Sequence, residues 1–233
     1  MKQVKSIKTV STQGDVTCEF CTELIAGSSS RFSQLYGTAV KSRVILKQDD
    51  FVVIPTIGQL FKGSLLILPS QHFETMAELP SSMLDSLEKL IKQLEDLTQS
   101  LGMPILFEHG ARCLTNRGCG IYHAHLHLVP VPEHIDCLDV LPEVAQQGSS
   151  LRNTFSQLKD SEAYLLFRDT KGQISFLDSP EALSQNFTSQ YFRRMLAQYF
   201  QLQAPWDWRQ YNHPEFWLLD TLKHYGENSV SIS

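Results

Sequence analysis

The spacing of apolar residues along the chain predicts one long helix and a series of short strands. Between residues 80 and 101, apolar side chains recur every three or four positions, as in an amphipathic helix. Ser81 or Ser82 can cap its start, and Gly102 can end it. Short apolar or alternating runs bounded by proline, glycine or polar residues predict strands. These runs are residues 44–46, 51–54, 65–68, 105–108, 121–129, 163–167 and 174–177.

The pattern changes beyond Pro132. A loop-like stretch comes first, and the last two predicted strands then form a hairpin with its turn at Gly172. A helix is predicted over residues 189–201, and a shorter helix is predicted after Pro214. Strands and helices therefore both contribute, and the expected fold class is α+β.

Composition and charge exclude several classes of protein. The chain has 233 residues, of which 42% are hydrophobic, so it can build a packed core. Its net charge of -5 argues against binding nucleic acid through bulk electrostatics. No apolar stretch approaches the roughly 20 residues that cross a bilayer. The basic amino terminus is not followed by the apolar segment of a secretory signal. We therefore expect a cytoplasmic protein that does not enter membranes.

Cys18 and Cys21 form a Cys-x-x-Cys pair. The chain has five cysteines, an odd number for a disulfide framework. In a reducing compartment this spacing indicates metal ligation or redox chemistry. The spacing is that of the thiolate pair in a tetrahedral zinc site, which needs two further nitrogen or sulfur ligands. His72 and His123 are the candidates.

Three histidines alternate with apolar residues at positions 123, 125 and 127. On a strand, side chains at every second position share one face, so the three imidazoles are expected to lie side by side. Clustered imidazoles suit metal ligation, nucleophilic catalysis or acid–base chemistry near neutral pH. The competing interpretation is three polar side chains that face solvent on an edge strand. If His123 binds metal, His125 is the central remaining imidazole and the best nucleophile.

Three motifs together resemble the histidine-triad (HIT) superfamily of nucleotide hydrolases and transferases. They are CEFC at residues 18–21, LPSQH at residues 68–72 and HAHLHLV at residues 123–129. The resemblance implies a HIT-like antiparallel sheet with one long packed helix over residues 15–135. Residues 136–233 then form an appended α+β extension.

The resemblance also implies roles for the motif residues. Zinc-binding relatives hold the metal through positions that correspond here to Cys18, Cys21, His72 and His123. Four protein ligands leave no open position, so the expected zinc is structural. His125 corresponds to the nucleophile that attacks the α-phosphorus of a nucleotide. His127 then contacts a phosphate oxygen or the leaving group.

The implied activity is hydrolysis of a nucleotide phosphoanhydride or phosphoramidate through a covalent nucleotidyl-histidine, as in dinucleoside polyphosphate hydrolases. The alternatives are a nucleotidyltransferase or phosphorylase of the same superfamily, and a nucleotide-binding regulator without activity. The expected partner is a small-molecule nucleotide. Relatives often dimerise, so a homodimer is possible here.

Candidate substrate-binding residues come from two sources. The loop before the triad can offer backbone N–H groups and an arginine to phosphate, although a plain turn is equally compatible with it. The other candidates correspond to positions near the nucleotide in relatives. Together the candidates are Thr56, Ser64, Glu108, His109, Asn116, Arg117 and Gly120.

Arginines in the extension can reach further phosphates. Gln190, Arg193 and Arg194 lie on one predicted helix, and Arg168 lies at a strand end. Arginine offers planar, bidentate contacts to phosphate oxygens. The competing interpretation is a solvated helix face.

Overall fold

One antiparallel sheet organises the part of the chain that the computed structural model describes, which is residues 18–25, 28–37, 39–112, 121–178, 188–211 and 215–229. The spatial order of its eight strands is β1-β2-β3-β5-β4-β7-β8-β6, numbered along the chain. The strands are β1 (Leu46–Gln48), β2 (Phe51–Pro55), β3 (Leu65–Pro69), β4 (Met103–Ala111), β5 (Leu126–Val131), β6 (Gln146–Gly148), β7 (Ala163–Arg168) and β8 (Ile174–Asp178). The helices are α1 (Glu19–Leu24), α2 (Arg31–Tyr36), α3 (Ser81–Thr98), α4 (Cys137–Val140), α5 (Leu151–Gln157), α6 (Tyr191–Tyr199) and α7 (Phe216–Ser229). The predicted α+β class is confirmed.

Helix α3 is the long helix that the sequence predicts, and it covers one face of the sheet. Leu87, Leu90 and Leu94 are buried with the sheet residues Ile67 and Leu128 in a single core. Each buried leucine contributes about 1.5–3 kcal/mol relative to an exposed one. Packing of this stripe therefore holds the helix to the sheet.

The opposite face of the sheet is covered at two places, and a cleft separates them. Helix α6 packs Phe192 against Phe107 of β4. Helix α1 packs Phe20 against Leu66 of β3. The cleft therefore has the sheet as its floor and these two helices along its sides.

The strand that was predicted over residues 121–129 begins later, at Leu126. Its ladder with β3 stops where Ile67 pairs with Leu126. Beyond that point Pro69 has no N–H to donate. The Ala124 N–H instead donates to the carbonyl of Phe73, at 2.7 Å. His123 and His125 consequently lie on an extended segment that is free of strand pairing and is held by individual hydrogen bonds.

Several other boundaries differ from the prediction. The first strand lies two residues later than expected, at Leu46–Gln48. Pro80 precedes α3, and neither Ser81 nor Ser82 caps it through a side chain. The helix after Pro214 is longer than expected. The pattern did not predict α1, α2, α4, α5 and β6, which are all short. Among the described residues, no helix combines the length and apolarity needed to cross a membrane.

The sheet runs across the predicted boundary between the HIT-like part and the extension. Strand β7 pairs with β4 from Leu106 opposite Arg168 to Ala111 opposite Ala163. Strands β8 and β6 continue the same sheet. The division at residue 135 stays a prediction, and the extension shares backbone hydrogen bonds with the part that precedes it.

Replacement of a fully buried α3 residue should measure how much this packing contributes. Leu87→Ala removes side-chain contacts with the sheet and leaves a cavity, so we expect the free energy of unfolding to fall by about 2–5 kcal/mol. Lys89→Ala on the exposed side is the matched control, and it should change stability by less than about 0.5 kcal/mol. Urea denaturation measures both. Equal effects of the two substitutions would contradict the packing described for α3.

Candidate functional site

Two cysteines and two histidines converge beside the triad segment. Cys18 precedes α1, Cys21 lies within it, His72 follows β3, and His123 precedes β5. The side-chain atoms able to bind a metal all lie within 4.8 Å of one another. The structure therefore brings together the four residues that were predicted as metal ligands.

The distances between these atoms fit a tetrahedral metal. Nδ1 of His123 lies 3.4 Å from Sγ of Cys18 and 3.5 Å from Sγ of Cys21. Nδ1 of His72 lies 3.4 Å from Sγ of Cys21. Around a tetrahedral Zn²⁺, with bonds of about 2.3 Å to sulfur and about 2.0 Å to nitrogen, such ligand atoms lie about 3.5 Å apart. The cluster is therefore compatible with zinc.

The cluster also carries the supporting contacts that metal ligands need. The other ring nitrogen of His123, Nε2, lies 3.0 Å from the carbonyl oxygen of Pro69. A carbonyl only accepts, so Nε2 carries a proton and Nδ1 faces the cysteines. A hydrogen bond from the Cys21 thiol is the main cause that lowers the pKa of Cys18 to about 3. The same contact raises the pKa of Cys21.

His125 lies two residues after His123 on the same extended segment, and it lines the cleft. Its Nδ1 lies 2.7 Å from the backbone carbonyl of His123 and donates to it. In a neutral ring the lone pair then resides on Nε2. The Phe20 ring packs edge-on against both His125 and His123, with centroid distances of 5.6 and 5.8 Å. The His125 ring is thus fixed by one hydrogen bond and one aromatic contact.

His127 lies deeper in the sheet and is neutral at physiological pH. Its ring stacks on Phe107 with a centroid distance of 4.3 Å and is 5.3 Å from the ring of His125. Burial is the main cause that lowers the pKa of His127 well below its usual value, and the charge of Arg193 lowers it further. A neutral His127 can donate one hydrogen bond and accept another.

Thr56 and His109 face the same cleft as His125 and His127. Both are buried. Neither the Thr56 hydroxyl nor either ring nitrogen of His109 has a hydrogen-bond partner among the described residues. Burial lowers the pKa of His109 to about 4, so its ring is neutral. Buried polar groups without partners are costly, and a polar ligand in the cleft would satisfy them.

Two other substrate-binding predictions are corrected, because Ser64 and Glu108 lie outside the described lining of the cleft. The Ser64 hydroxyl donates to the carbonyl of Phe61 at 2.6 Å and closes a local turn. Glu108 lies on β4 between Phe107 and His109, so its side chain points to the opposite face of the sheet. There it accepts hydrogen bonds from the Tyr164 hydroxyl and the Met76 N–H.

The glycine-bearing loop lies outside the described residues, so Asn116, Arg117 and Gly120 stay predictions. Of the three cysteines outside the cluster, Cys137 is described, and it is a buried free thiol.

The arginines that line the cleft are not the same set that the sequence predicted. Arg193 is buried in the cleft, and Arg31 and Arg43 also line it. Arg194 contacts the Thr188 hydroxyl. Arg168 forms an ion pair with Glu95 of α3, on the other face of the sheet. No local pattern in the sequence distinguishes Arg43 or Phe20, because both reach the cleft through contacts between distant segments.

Part of this chain is similar to known proteins. A family model described as "Scavenger mRNA decapping enzyme C-term binding" matches residues 29–141. The "Protein hit" of Bacillus subtilis is 23% identical over 117 residues, which are 48% of this chain and 70% of the relative. An uncharacterized HIT-like protein of Chlamydia muridarum is 25% identical over 116 residues, which are 48% of this chain and 89% of the relative. A zinc-bound histidine-triad family protein of Mycobacterium smegmatis has a TM-score of 0.38 and 18% identity, over 54% of this chain and 81% of its own.

Through the family model and the HIT-like relatives, about half of this chain is similar to histidine-triad proteins. The matched segment includes all three triad histidines and His72, and it is slightly less than half of the chain. It begins after Cys21, so the case for the metal cluster rests on the geometry described above.

The buried carboxyl of Glu108 should make stability depend on pH. Burial raises its pKa to about 7, whereas an unfolded glutamate titrates near about 4.3. Between these values the folded protein binds more protons at this position than the unfolded chain does. The contribution of Glu108 to stability therefore falls as the pH rises through this range.

Glu108→Gln mimics the protonated carboxyl at every pH. We expect the free energy of unfolding of the variant, relative to wild type, to rise by about 1–3 kcal/mol between about pH 4.5 and pH 7. Chemical denaturation at several pH values measures this difference. Glu133→Gln, which replaces an exposed glutamate, is the matched control. A pH-independent difference for Glu108→Gln would show that its carboxyl titrates normally.

Proposed function

We propose that this protein is a nucleotidyl hydrolase that cleaves a phosphoanhydride or phosphoramidate through a covalent nucleotidyl-histidine on His125. The observation that carries the proposal is the hydrogen bond from Nδ1 of His125 to the carbonyl of His123. It keeps the proton on Nδ1 and the lone pair on Nε2, in a ring that lines the cleft. A neutral imidazole with a fixed orientation is a competent nucleophile near pH 7.

In the first step, the Nε2 lone pair attacks the α-phosphorus. A phosphorus–nitrogen bond forms while the bond from phosphorus to the leaving oxygen or nitrogen breaks, and the leaving group takes that electron pair. The hydrogen bond to the His123 carbonyl stabilises the positive charge that develops on the ring. Dividing one displacement into two lowers the barrier of each.

His127 supports this step by hydrogen bonding to a phosphate oxygen or to the leaving group. Its depressed pKa means that it acts as a neutral donor and not as an imidazolium acid. A leaving group that must be protonated therefore takes its proton from water, or is already protonated when its bond to phosphorus breaks.

In the second step, water attacks the phosphorus of the adduct. A phosphorus–oxygen bond forms, the electron pair of the phosphorus–nitrogen bond returns to Nε2, and a proton passes to solvent. If phosphate or a sugar phosphate replaces water, the same site acts as a phosphorylase or nucleotidyltransferase. Dependence of turnover on those acceptors separates the two activities.

Zinc in the Cys/His cluster is part of the proposal. Cys18, Cys21, His72 and His123 would supply all four ligands, so the metal would be structural. It would tie α1 to the triad segment, because the ligands come from both. Phe20 lies between the two cysteines in sequence and contacts His125, so a fixed α1 also supports the nucleophile.

Removal of the imidazole tests the proposed nucleophile. His125→Ala should lower turnover of diadenosine tetraphosphate, adenosine phosphoramidate or a nucleoside diphosphate sugar by about 10⁴-fold or more, because the covalent route is lost. His134→Ala, which removes an exposed histidine, should leave turnover unchanged. Mass spectrometry at alkaline pH should find a nucleotidyl group on the peptide containing His125 in wild type.

The outcomes separate the proposal from its competitors. Turnover that survives His125→Ala refutes the covalent mechanism. Thermal stabilisation by nucleotides without turnover or adduct in wild type supports a non-catalytic nucleotide-binding regulator instead.

Metal analysis tests the cluster. Protein purified without chelators should contain about one zinc ion per chain, and Cys21→Ser should lower both the zinc content and the melting temperature. Cys137→Ser removes a buried thiol outside the cluster, and it should leave the zinc content unchanged. Wild-type protein without zinc, or equal zinc loss in both variants, would contradict this assignment.

A further inference from the structure

Arg193 of α6 is a buried cation without a carboxylate partner. Its Nε donates to the carbonyl of Trp206 at 2.7 Å, and its Nη2 donates to the carbonyl of Gly58. No carboxylate of the described residues lies within 4.0 Å of this guanidinium. Both partners are neutral oxygens that orient the guanidinium, and the carboxylates of Asp207 and Glu215 act on its charge only from a greater distance.

The segments around Arg193 hold it in this position. Gly58 has a φ of 67°, and a Cβ there would lie 2.7 Å from the ring of Tyr211, so the turn requires glycine. The chain beside Trp206 is fixed by Gln190, whose amide donates to Asp207 at 2.7 Å. The orientation of the guanidinium is therefore built into the fold before any ligand binds.

A buried guanidinium is stable only if something offsets the loss of its hydration. Burial lowers the pKa of Arg193 to about 10, which still leaves it charged at neutral pH. Arg43 in the same cleft differs, because Glu23 contacts it through two N–O distances of 2.7 Å. Arg193 thus lacks a close ion pair of this kind, and an incoming anion can contact its guanidinium directly.

Arg193 reaches the cleft next to the triad. Phe192, its neighbour on α6, packs against Phe107 with a centroid distance of 5.1 Å. Phe107 in turn stacks on the ring of His127. Arg193, His109 and Thr56 line the same cleft as His125 and His127. One charged group and two unpartnered polar groups therefore lie beside the reacting imidazoles.

We propose that Arg193, with His109 and Thr56, forms an anion-binding subsite for phosphate groups beyond the α-phosphate of the substrate. This assignment rests on the proposed function of His125. The guanidinium supplies charge and planar donors, and the neutral His109 and Thr56 supply further hydrogen bonds. The substrate class that fits is a nucleotide phosphoanhydride with a polyphosphate leaving group. A phosphoramidate with an uncharged amine offers no further phosphate to the guanidinium of Arg193.

Calorimetric titration with inorganic tripolyphosphate and with adenosine monophosphate tests the subsite. Arg193→Gln should weaken tripolyphosphate binding by about 10- to 100-fold, the effect of losing a charged hydrogen-bond donor. Binding of the monophosphate should change far less, and Arg193→Lys should give an intermediate loss. The matched control is Arg194→Gln on the same helix, which removes an arginine that contacts Thr188 and should leave both affinities unchanged.

A measurement on the wild-type protein keeps the test decisive if Arg193→Gln does not fold. In nuclear magnetic resonance spectra, the side-chain Nε–H of Arg193 should shift on addition of tripolyphosphate, and that of Arg194 should not. Absence of tripolyphosphate binding, or an unshifted Arg193 resonance, overturns the subsite. Equal affinity of wild type and a folded Arg193→Gln variant overturns it as well.

These outcomes do not depend on turnover. An active enzyme whose tripolyphosphate affinity ignores Arg193 would retain the His125 mechanism and lose the subsite. An inactive protein with Arg193-dependent tripolyphosphate binding would retain the subsite and lose the mechanism.

Discussion

Two hydrogen bonds from imidazole rings to backbone carbonyls set the chemistry of the cleft. His123 donates from Nε2 to Pro69, and His125 donates from Nδ1 to His123 itself. The two neighbouring histidines therefore present opposite ring nitrogens, one to the cysteines and one to the cleft. Because the second acceptor is the backbone of the first residue, any shift of His123 also moves the ring of His125.

These contacts connect the Cys/His cluster, the triad and helix α6 on one face of the sheet. The Cys-x-x-Cys segment carries Phe20 against both histidine rings, and so supports the proposed nucleophile from one side. Helix α6 packs through Phe192 on Phe107 and brings Arg193 in from the other side. Helix α6 therefore supplies one wall of the cleft and the buried cation Arg193.

The sequence was sufficient for features that depend on local spacing and insufficient for those that depend on strand pairing. The Cys pair and the alternating histidines were visible as patterns, and the long helix followed from its apolar stripe. Glu108 and His109 were both assigned to the substrate because they correspond to positions near the nucleotide in relatives, and the strand was expected to end at residue 108. Pairing with β7 extends β4 to Ala111, so adjacent side chains take opposite faces and only His109 reaches the cleft. Arg193 was considered as one of several helix arginines, and only tertiary contacts separate it from Arg194.

The most direct test of this account is the protonation state of each histidine ring, measured by long-range ¹H–¹⁵N nuclear magnetic resonance on protein with ¹⁵N-labelled histidine. The account predicts that at neutral pH His125 is neutral with its proton on Nδ1. His123 should carry its proton on Nε2, with Nδ1 free of a proton at the metal cluster. A His125 ring that is protonated on Nε2, or that is fully charged at neutral pH, would contradict the account, because Nε2 would then have no lone pair to attack phosphorus.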